Sequence, residues 1–240
     1  KLVKIKGAYI ERLLEEQEAG IWYPSFFQHR TVSGRYGSSA QQFPRKLAAD
    51  SLIAKHTNRI RDFLIAAPAH KFIGADYESL EPKIFSHVCG DEGLLNIFKQ
   101  GHDFYSTIAI MTEKLEGFSA DKKAPNYLGV LNKAARQKSK SYALGVPYGL
   151  TGYKMQFELG CTAEEGEKLV TDYLTAFPKL AAWMQETETK VKKEGRIQSE
   201  AGRIRHLPRA RFIYTQYGDD IQNSLTLWKK YNDMPALYTE

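Results

Sequence analysis

The chain has 240 residues, 42% of them apolar, which is enough for one large domain or two small ones. Lys and Arg total 34 against 28 acidic residues, a formal net charge of +6 that is compatible with a phosphate-rich partner but does not prove one. Only two cysteines occur and no stretch approaches the roughly 18 apolar residues of a membrane span, so composition argues against a disulfide framework, a cysteine-based zinc site and a membrane partner. We therefore predict a reducing, cytoplasmic location.

The first 76 residues predict a helix, a turn-rich segment and a buried strand. Apolar spacing predicts the helix from Tyr9 to Glu18, and the glycine- and serine-rich segment from Thr31 to Ser39 favours strands and turns. The apolar run 72–75 ends at Asp76, as expected of a buried strand that carries a carboxylate at its tip.

Helices dominate the rest of the sequence. The spacing of apolar residues predicts helical regions over Glu81–Phe98, Phe104–Thr112, Leu128–Leu144 and Ala163–Lys193. We expect a break at Gly90 in the first region and near Pro178 in the last, where proline removes a helix hydrogen bond. After Gly195 the pattern favours short strands and loops, and the tail from Arg209 has too weak a periodicity for an assignment.

Two acidic residues follow the predicted buried strand. Asp76 stands at its end and Glu81 follows five residues later. Phosphoryl transfer needs an acidic metal anchor together with cations for the phosphates, and a strand-end carboxylate can serve as that anchor. The alternative is a surface turn whose acidic residues favour the N-terminus of the next helix.

Three residues in the region 133–149 share one helical face. Arg136, Lys140 and Leu144 are spaced by four, so two cations and one apolar side chain line up. The cations could hold the phosphates of a nucleotide whose base rests near Leu144. A solvated basic helix is the alternative.

Pro147 should end or kink this helix. It restricts Val146 to non-helical angles, so the helix is expected to end near Gly145. Tyr148 then lies at a joint between helices, where an aromatic ring packs in the core or, if the joint faces a groove, contacts a ligand.

Small residues surround Arg35. Gly34 and Ser38 would allow the backbone to approach a nucleic-acid duplex closely. The alternative is an ordinary surface loop.

Taken in order, these segments resemble family A DNA polymerases of the bacterial DNA polymerase I type, over about residues 1–208. Ser33-Gly34-Arg35 resembles the TGR-type motif, the segment from Phe72 resembles motif A, and Arg136 to Gly149 resembles motif B. The resemblance implies an α+β right-hand polymerase fold, with part of the palm (an antiparallel sheet) and mostly helical fingers. It implies a palm portion over 1–98 with the TGR-like motif and motif A, fingers over 99–200 with motif B, and a return towards the palm over 201–240 that ends before motif C.

The resemblance also implies roles for individual residues. Asp76 would bind two Mg²⁺ ions, with the Tyr77 carbonyl as a further ligand. Glu81 would exclude a 2′-hydroxyl, which points to deoxynucleotides. Arg136 and Lys140 would hold the triphosphate of the dNTP. Tyr148 would occupy the template-base position, and Arg35 would touch the minor groove of primer-template DNA.

The sequence departs from the family pattern in several places. Leu144 stands where the family usually has Phe or Tyr, and Tyr105 stands where many members have a phosphate-contacting His. Pro82-Lys83 replaces the usual Leu-Arg of motif A, and position 147 is usually aliphatic rather than proline. The His-Asp-Glu sequence of motif C is absent, and Asp219-Asp220 lies in a polar tail without a flanking strand pattern.

Three functions remain open. The chain could be one piece of a split or trimmed DNA polymerase, with a second polypeptide supplying motif C and possibly another the thumb and exonuclease. It could be a single-subunit RNA polymerase-like enzyme, which Glu81 disfavours. It could also be a non-catalytic DNA-binding subunit, which the joint presence of Asp76, Arg136 and Lys140 disfavours. The departures also suggest a bacteriophage-like source, so the cytoplasm would be that of a bacterium or an infected host cell.

Overall fold

A computed structural model describes residues 6–31, 34–43 and 59–218, and the chain divides into two compact units, 1–76 and 77–240. The predictions on Ser33, Asp219 and Asp220 lie outside the described residues. The polymerase subdomain boundaries at 98 and 200 remain predictions.

The first unit contains short elements. They are a π-helix (Lys6–Glu11), α1 (Arg12–Glu15), β1 (Gln17–Glu18), β2 (Ile21–Trp22), β3 (Phe26–Phe27), β4 (Gly37–Ser38) and 3₁₀ turns at Ser39–Gln42 and Ile60–Phe63. β1 pairs with β2 and β3 with β4, both antiparallel, so strand structure in the segment before Ser39 is confirmed.

The predicted N-terminal helix is confirmed only as far as Glu15. The chain reverses at Ala19 and Gly20, where φ is +51° and +78°. The Glu16 carboxylate stabilises this reversal, because it accepts hydrogen bonds from Trp22 Nε1 (3.1 Å) and Ser39 Oγ (2.8 Å). A pattern of apolar spacing cannot reveal these contacts, which come from beyond the helix.

The segment before Asp76 is not the buried strand that its apolar run predicts. Residues 71–77 have no regular secondary structure, and Phe72 and Ile73 are 73% and 94% exposed. A strand is buried only where neighbouring strands and a packed face cover it, and the two-stranded sheets of the described residues do not include this segment. Asp76 is itself exposed.

The second unit is mainly helical. Its helices are α2 (Leu80–Cys89), α3 (Glu92–Lys99), α4 (Phe104–Thr112), α5 (Leu128–Leu131), α6 (Lys133–Gly145), α7 (Gly152–Leu159), α8 (Ala163–Ala176), α9 (Pro178–Glu194) and α10 (Pro208–Tyr217). The predicted breaks are confirmed: Gly90 ends α2 with φ +63°, and Pro178 opens α9.

Asp91 caps two helices with one carboxylate. Its Oδ1 accepts hydrogen bonds from the Gly93 and Leu94 N–H groups at the start of α3 (3.0 and 3.2 Å). Its Oδ2 accepts from the N–H of Lys179 in the first turn of α9 (3.1 Å). Asp91 is 3% exposed, so it joins the beginnings of two helices that are far apart in sequence.

The end of α6 is partly as predicted. The helix ends at Gly145, but Val146 keeps helical angles (φ −61°, ψ −50°), so the predicted departure of Val146 from the helical region is wrong. Proline disfavours that conformation in the preceding residue without forbidding it. Val146 is 1% exposed, and its burial in the core offsets the cost.

The main core lies where α4, α6 and α8 pack together. Its fully buried side chains include Phe104, Ile108, Tyr142 and Tyr173. The Tyr142 hydroxyl forms hydrogen bonds with Thr112 Oγ1 (2.7 Å) and the Glu113 carboxylate (3.2 Å), which ties α4 to α6.

A hairpin and a helix complete the second unit. β5 (Arg196–Gln198) pairs antiparallel with β6 (Ile204–His206), as the predicted short strands require, and α10 follows. α10 buries Ala210 and Ile213 in a small cluster with Val191 of α9. Among the described residues no helix combines the length and apolar character needed to cross a bilayer.

Candidate functional site

Helix α6 carries the predicted basic face. Asn132 separates it from α5 and caps it, since Asn132 Oδ1 accepts a hydrogen bond from the Ala135 N–H (3.0 Å). Arg136, Lys140 and Leu144 follow at helical spacing, and each is half-buried. This face of α6 is therefore partly covered by neighbouring residues rather than fully solvated.

Helix α4 places Tyr105 beside α6. Asp103 caps α4 by accepting a hydrogen bond from the Ser106 N–H (3.0 Å), which puts Tyr105 in the first turn. Ser139 Oγ of α6 donates to the Tyr105 carbonyl at 2.7 Å. The two helices are thus joined at the level of Tyr105.

Arg136 is bound by Asp103 through two hydrogen bonds. Arg136 Nε donates to Oδ2 (2.7 Å) and Nη2 to Oδ1 (2.8 Å), and the Asp103 side chain is 3% exposed. Burial alone would raise the pKa of Asp103, but hydrogen bonds from Arg136 and Ser106 outweigh it and hold the pKa below its usual range. The pair is ionised at neutral pH, and the charge of Arg136 is compensated.

Lys140 and Arg136 both lie near the Tyr105 ring. Lys140 Nζ is 5.4 Å and Arg136 Cζ 5.5 Å from the ring centroid, within cation–π range. Within the part of the chain that the structure describes, no carboxylate lies within ion-pair distance of Lys140. Burial is the main cause that raises the pKa of Tyr105, and the nearby Glu81 carboxylate raises it further, so the Tyr105 hydroxyl stays neutral.

A short turn leads from Tyr77 into α2. Ser79 has a left-handed conformation (φ +53°, ψ +42°), which is strained for a residue other than glycine. The Glu78 carboxylate accepts a hydrogen bond from Lys122 Nζ, and this contact lowers the pKa of Glu78. The turn is thus tied to the loop that precedes α5.

The structure groups four of the predicted site residues in the second unit: Glu81, Tyr105, Arg136 and Lys140. Tyr148 lies at the joint after α6, as predicted, where its N–H donates to the Gly145 carbonyl (3.0 Å) and its side chain is half-buried. Tyr77 is 79% exposed. Asp76 and Arg35 belong to the first unit, where both are exposed.

The sequence did not reveal Asp103 as part of the site. An aspartate before an apolar run signals the start of a helix, and Asp103 does fill that role. Its second role, the pairing with Arg136, joins residues 33 apart in sequence and leaves no local signal. The contact between Lys122 and Glu78 likewise joins residues 44 apart in sequence and leaves no local signal.

The described residues do not complete a metal site. They contain no group of three or more His, Cys, Asp or Glu side chains that could hold a metal ion. The predicted ligands Asp76 and the Tyr77 carbonyl would supply one carboxylate and one neutral oxygen, which is fewer than a two-ion site requires.

Residues 1–224 match the protein family described as DNA polymerase family A. Among curated relatives, thermostable DNA polymerase I of Thermus aquaticus is 28% identical over 213 residues, which cover 87% of this chain and 23% of the relative. DNA polymerase I of Pseudomonas aeruginosa is 26% identical over 212 residues, which cover 85% of this chain and 21% of the relative. The chain thus spans less than a quarter of the length of these relatives.

A solved structure has a similar fold. It is the POL domain of Pol1 from M. smegmatis, in complex with DNA primer-template and dNTP, and it matches with a TM-score of 0.67 at 22% identity. The match covers 94% of this chain and 37% of the other. The predicted α+β fold of a polymerase domain, with helices and small antiparallel sheets, is confirmed.

Proposed function

Since the chain belongs to DNA polymerase family A, we propose that it supplies the fingers and part of the palm of a DNA polymerase. The reaction would be transfer of a deoxynucleotide to a primer 3′-hydroxyl, with primer-template DNA and dNTP as substrates. The observation that carries this proposal is that Arg136 and Lys140 of α6 both lie within 5.5 Å of the centre of the Tyr105 ring of α4, and that hydrogen bonds join the two helices.

The three side chains offer different contacts to a triphosphate. Lys140 is a point charge with no carboxylate partner among the described residues, so it would provide most of the attraction. Arg136 can offer a planar fork of donors. The Tyr105 hydroxyl would donate as a neutral group, because its pKa is raised.

The other site residues keep the roles that the family resemblance implies. Glu81, in the first turn of α2, would discriminate against ribonucleotides. Leu144 would contact the base more weakly than an aromatic residue at this position would, and Tyr148 would occupy the template-base position. Arg35 would contact the minor groove.

We propose that two Mg²⁺ ions take part, with Asp76 and the Tyr77 carbonyl among their ligands. A bound Mg²⁺ ion would stabilise negative charge on the phosphates. One carboxylate does not complete such a site, so the proposal includes at least one further acidic ligand.

We propose that this ligand belongs to motif C, a His-Asp-Glu sequence that the 240 residues given do not contain, either on a second polypeptide or in a part of the polymerase that was trimmed away. Native mass spectrometry of the purified active material tests this proposal. A second chain of constant stoichiometry would support it, and full activity from a single species without motif C would contradict it. The bacterial relatives support a cytoplasmic location, whereas a bacteriophage source remains a prediction without support.

Templated primer extension with Mg²⁺ tests the function directly. It should be run on the protein as isolated, with everything that co-purifies, and with deoxynucleotides and ribonucleotides in parallel. Deoxynucleotide incorporation would support the proposal, and preference for ribonucleotides would favour the RNA polymerase-like alternative. DNA binding without Mg²⁺ and without synthesis would favour a non-catalytic subunit.

Lys140→Ala should lower kcat/KM for dNTP at least about tenfold, because it removes a cation that no described carboxylate compensates. Binding of primer-template DNA should change less than about twofold. Lys133→Ala is the matched control, because Lys133 is exposed at the start of the same helix. Equal loss of nucleotide use and DNA binding in Lys140→Ala would contradict the assigned role.

A further inference from the structure

Asp103 links three parts of the second unit. Its carboxylate caps α4 through the Ser106 N–H (3.0 Å) and accepts both hydrogen bonds from Arg136 of α6. Its own N–H donates to the Ala120 carbonyl (2.9 Å) of the loop before α5. The Ser106 N–H fixes the carboxylate, and the Ala120 carbonyl fixes the backbone of Asp103. The position of the guanidinium therefore depends on backbone groups rather than on a long side chain.

Asp103 engages only part of Arg136. A guanidinium has five N–H donors, and Asp103 uses the one on Nε and one on Nη2. The Nη1 group and the second N–H of Nη2 form a second fork, and the Tyr127 side chain is a further hydrogen-bond partner of the guanidinium. Arg136 can therefore remain paired with Asp103 while it donates to a phosphate.

We infer that Asp103 is a positioning residue for nucleotide binding: it holds Arg136 beside the Tyr105 ring so that the second fork is already placed for a triphosphate. The inference rests on the proposed function. An arginine side chain that is ordered before binding loses less rotamer entropy on binding than a free one does.

The negative charge of Asp103 has the opposite effect on affinity. It partly cancels the attraction between Arg136 and phosphate, so its removal would tighten binding if Asp103 were only a counter-ion. Positioning predicts that removal weakens nucleotide use. The direction of the change therefore separates the two roles.

Asp103→Asn and Asp103→Ser separate positioning from helix capping. Asn and Ser both remain good N-cap residues, so α4 keeps a cap, but neither supplies a carboxylate to Arg136. We expect both variants to lower kcat/KM for dNTP about tenfold, with primer-template affinity changed less than about twofold. In an Arg136→Ala background, Asp103→Asn should cause less than about a twofold further loss.

Thr162→Ala is the control for a general loss of stability. Thr162 caps α8 in a capping box with Glu165, remote in sequence from the site residues, so this variant should keep kcat/KM. An equal loss in Thr162→Ala, an undiminished effect of Asp103→Asn in the Arg136→Ala background, or unchanged or improved kcat/KM in Asp103→Asn would each overturn the inference.

Binding of inorganic tripolyphosphate, measured by calorimetry on the protein as isolated, does not depend on synthesis. Asp103→Asn should weaken it about tenfold even if no primer is extended. Lack of extension with this weakening would refute the proposed function and keep the positioning role. Extension by the parent chain with no effect of Asp103→Asn in either assay would refute the positioning role alone.

Discussion

Replacing Asp91 with alanine should remove the hydrogen-bond acceptor of two helix N-termini at once. The carboxylate accepts from two N–H groups of α3 through Oδ1 and from Lys179 of α9 through Oδ2, and Asp91 is 3% exposed. Loss of one N-cap side chain costs about 1 kcal/mol, so Asp91→Ala should lower the free energy of unfolding by about 2–3 kcal/mol.

Asp91→Asn tests whether both oxygens matter. The amide keeps one acceptor oxygen but presents an NH₂ group to the other helix, so it can cap only one of the two N-termini. We expect a loss of about 1–2 kcal/mol, between those of the parent chain and Asp91→Ala. The neighbouring Glu92 is exposed and pairs with Lys99 only at 4.0 Å, so Glu92→Ala should cost less than about 0.5 kcal/mol.

Urea unfolding followed by far-UV circular dichroism gives these free energies. Equal losses for the Ala and Asn variants would refute the use of both oxygens. A loss in Asp91→Ala no larger than in Glu92→Ala would refute the capping account.

Two further predictions concern the same unit. The pKa of Asp103 is lowered in the folded state, so its contribution to stability is fully present above the unfolded pKa of about 4 and is lost as the pH falls through the folded pKa. The difference in urea midpoint between the parent chain and Asp103→Asn should therefore shrink below about pH 4. A difference that stays constant with pH would contradict the ion pair. Gly166→Ala should lower the free energy of unfolding by more than about 1 kcal/mol although alanine favours helices, because a Cβ at Gly166 would lie 2.5 Å from the backbone oxygen of Gly152. Thr175 is exposed on the same helix, so Thr175→Ala should change the free energy of unfolding by less than about 0.5 kcal/mol. Thermal unfolding of both variants gives the comparison.

The elements that sequence predicted correctly depend on local signals. The helix Phe104–Thr112 follows an aspartate cap, Gly90 allows the left-handed turn that ends α2, and Pro178 fits the first turn of a helix. Each of these signals acts within a few residues. Tertiary contacts are therefore not needed to predict where these helices begin or end.

The elements that sequence missed depend on distant partners. The segment 72–75 is as apolar as a buried strand, but Ile73 is 94% exposed, because burial is set by what covers a segment. Helix α10 has only a few apolar positions, and Ile213 becomes buried through the cluster with Val191 of α9. Packing, rather than propensity, decides such short helices.

The basic face of α6 shows where spacing stops being informative. Arg136 and Lys140 are equivalent in a pattern of period four, yet Asp103 compensates the first, and no described carboxylate pairs with the second. The difference arises from a contact 33 residues away in sequence. In the proposed site the two cations would differ in role. Lys140 would supply attraction for a polyanion, and Arg136, with its charge already matched, would supply a fixed geometry. Two cations at the same helical spacing can therefore contribute differently, one through its charge and one through its fixed geometry, and the carboxylate that binds the second distinguishes them.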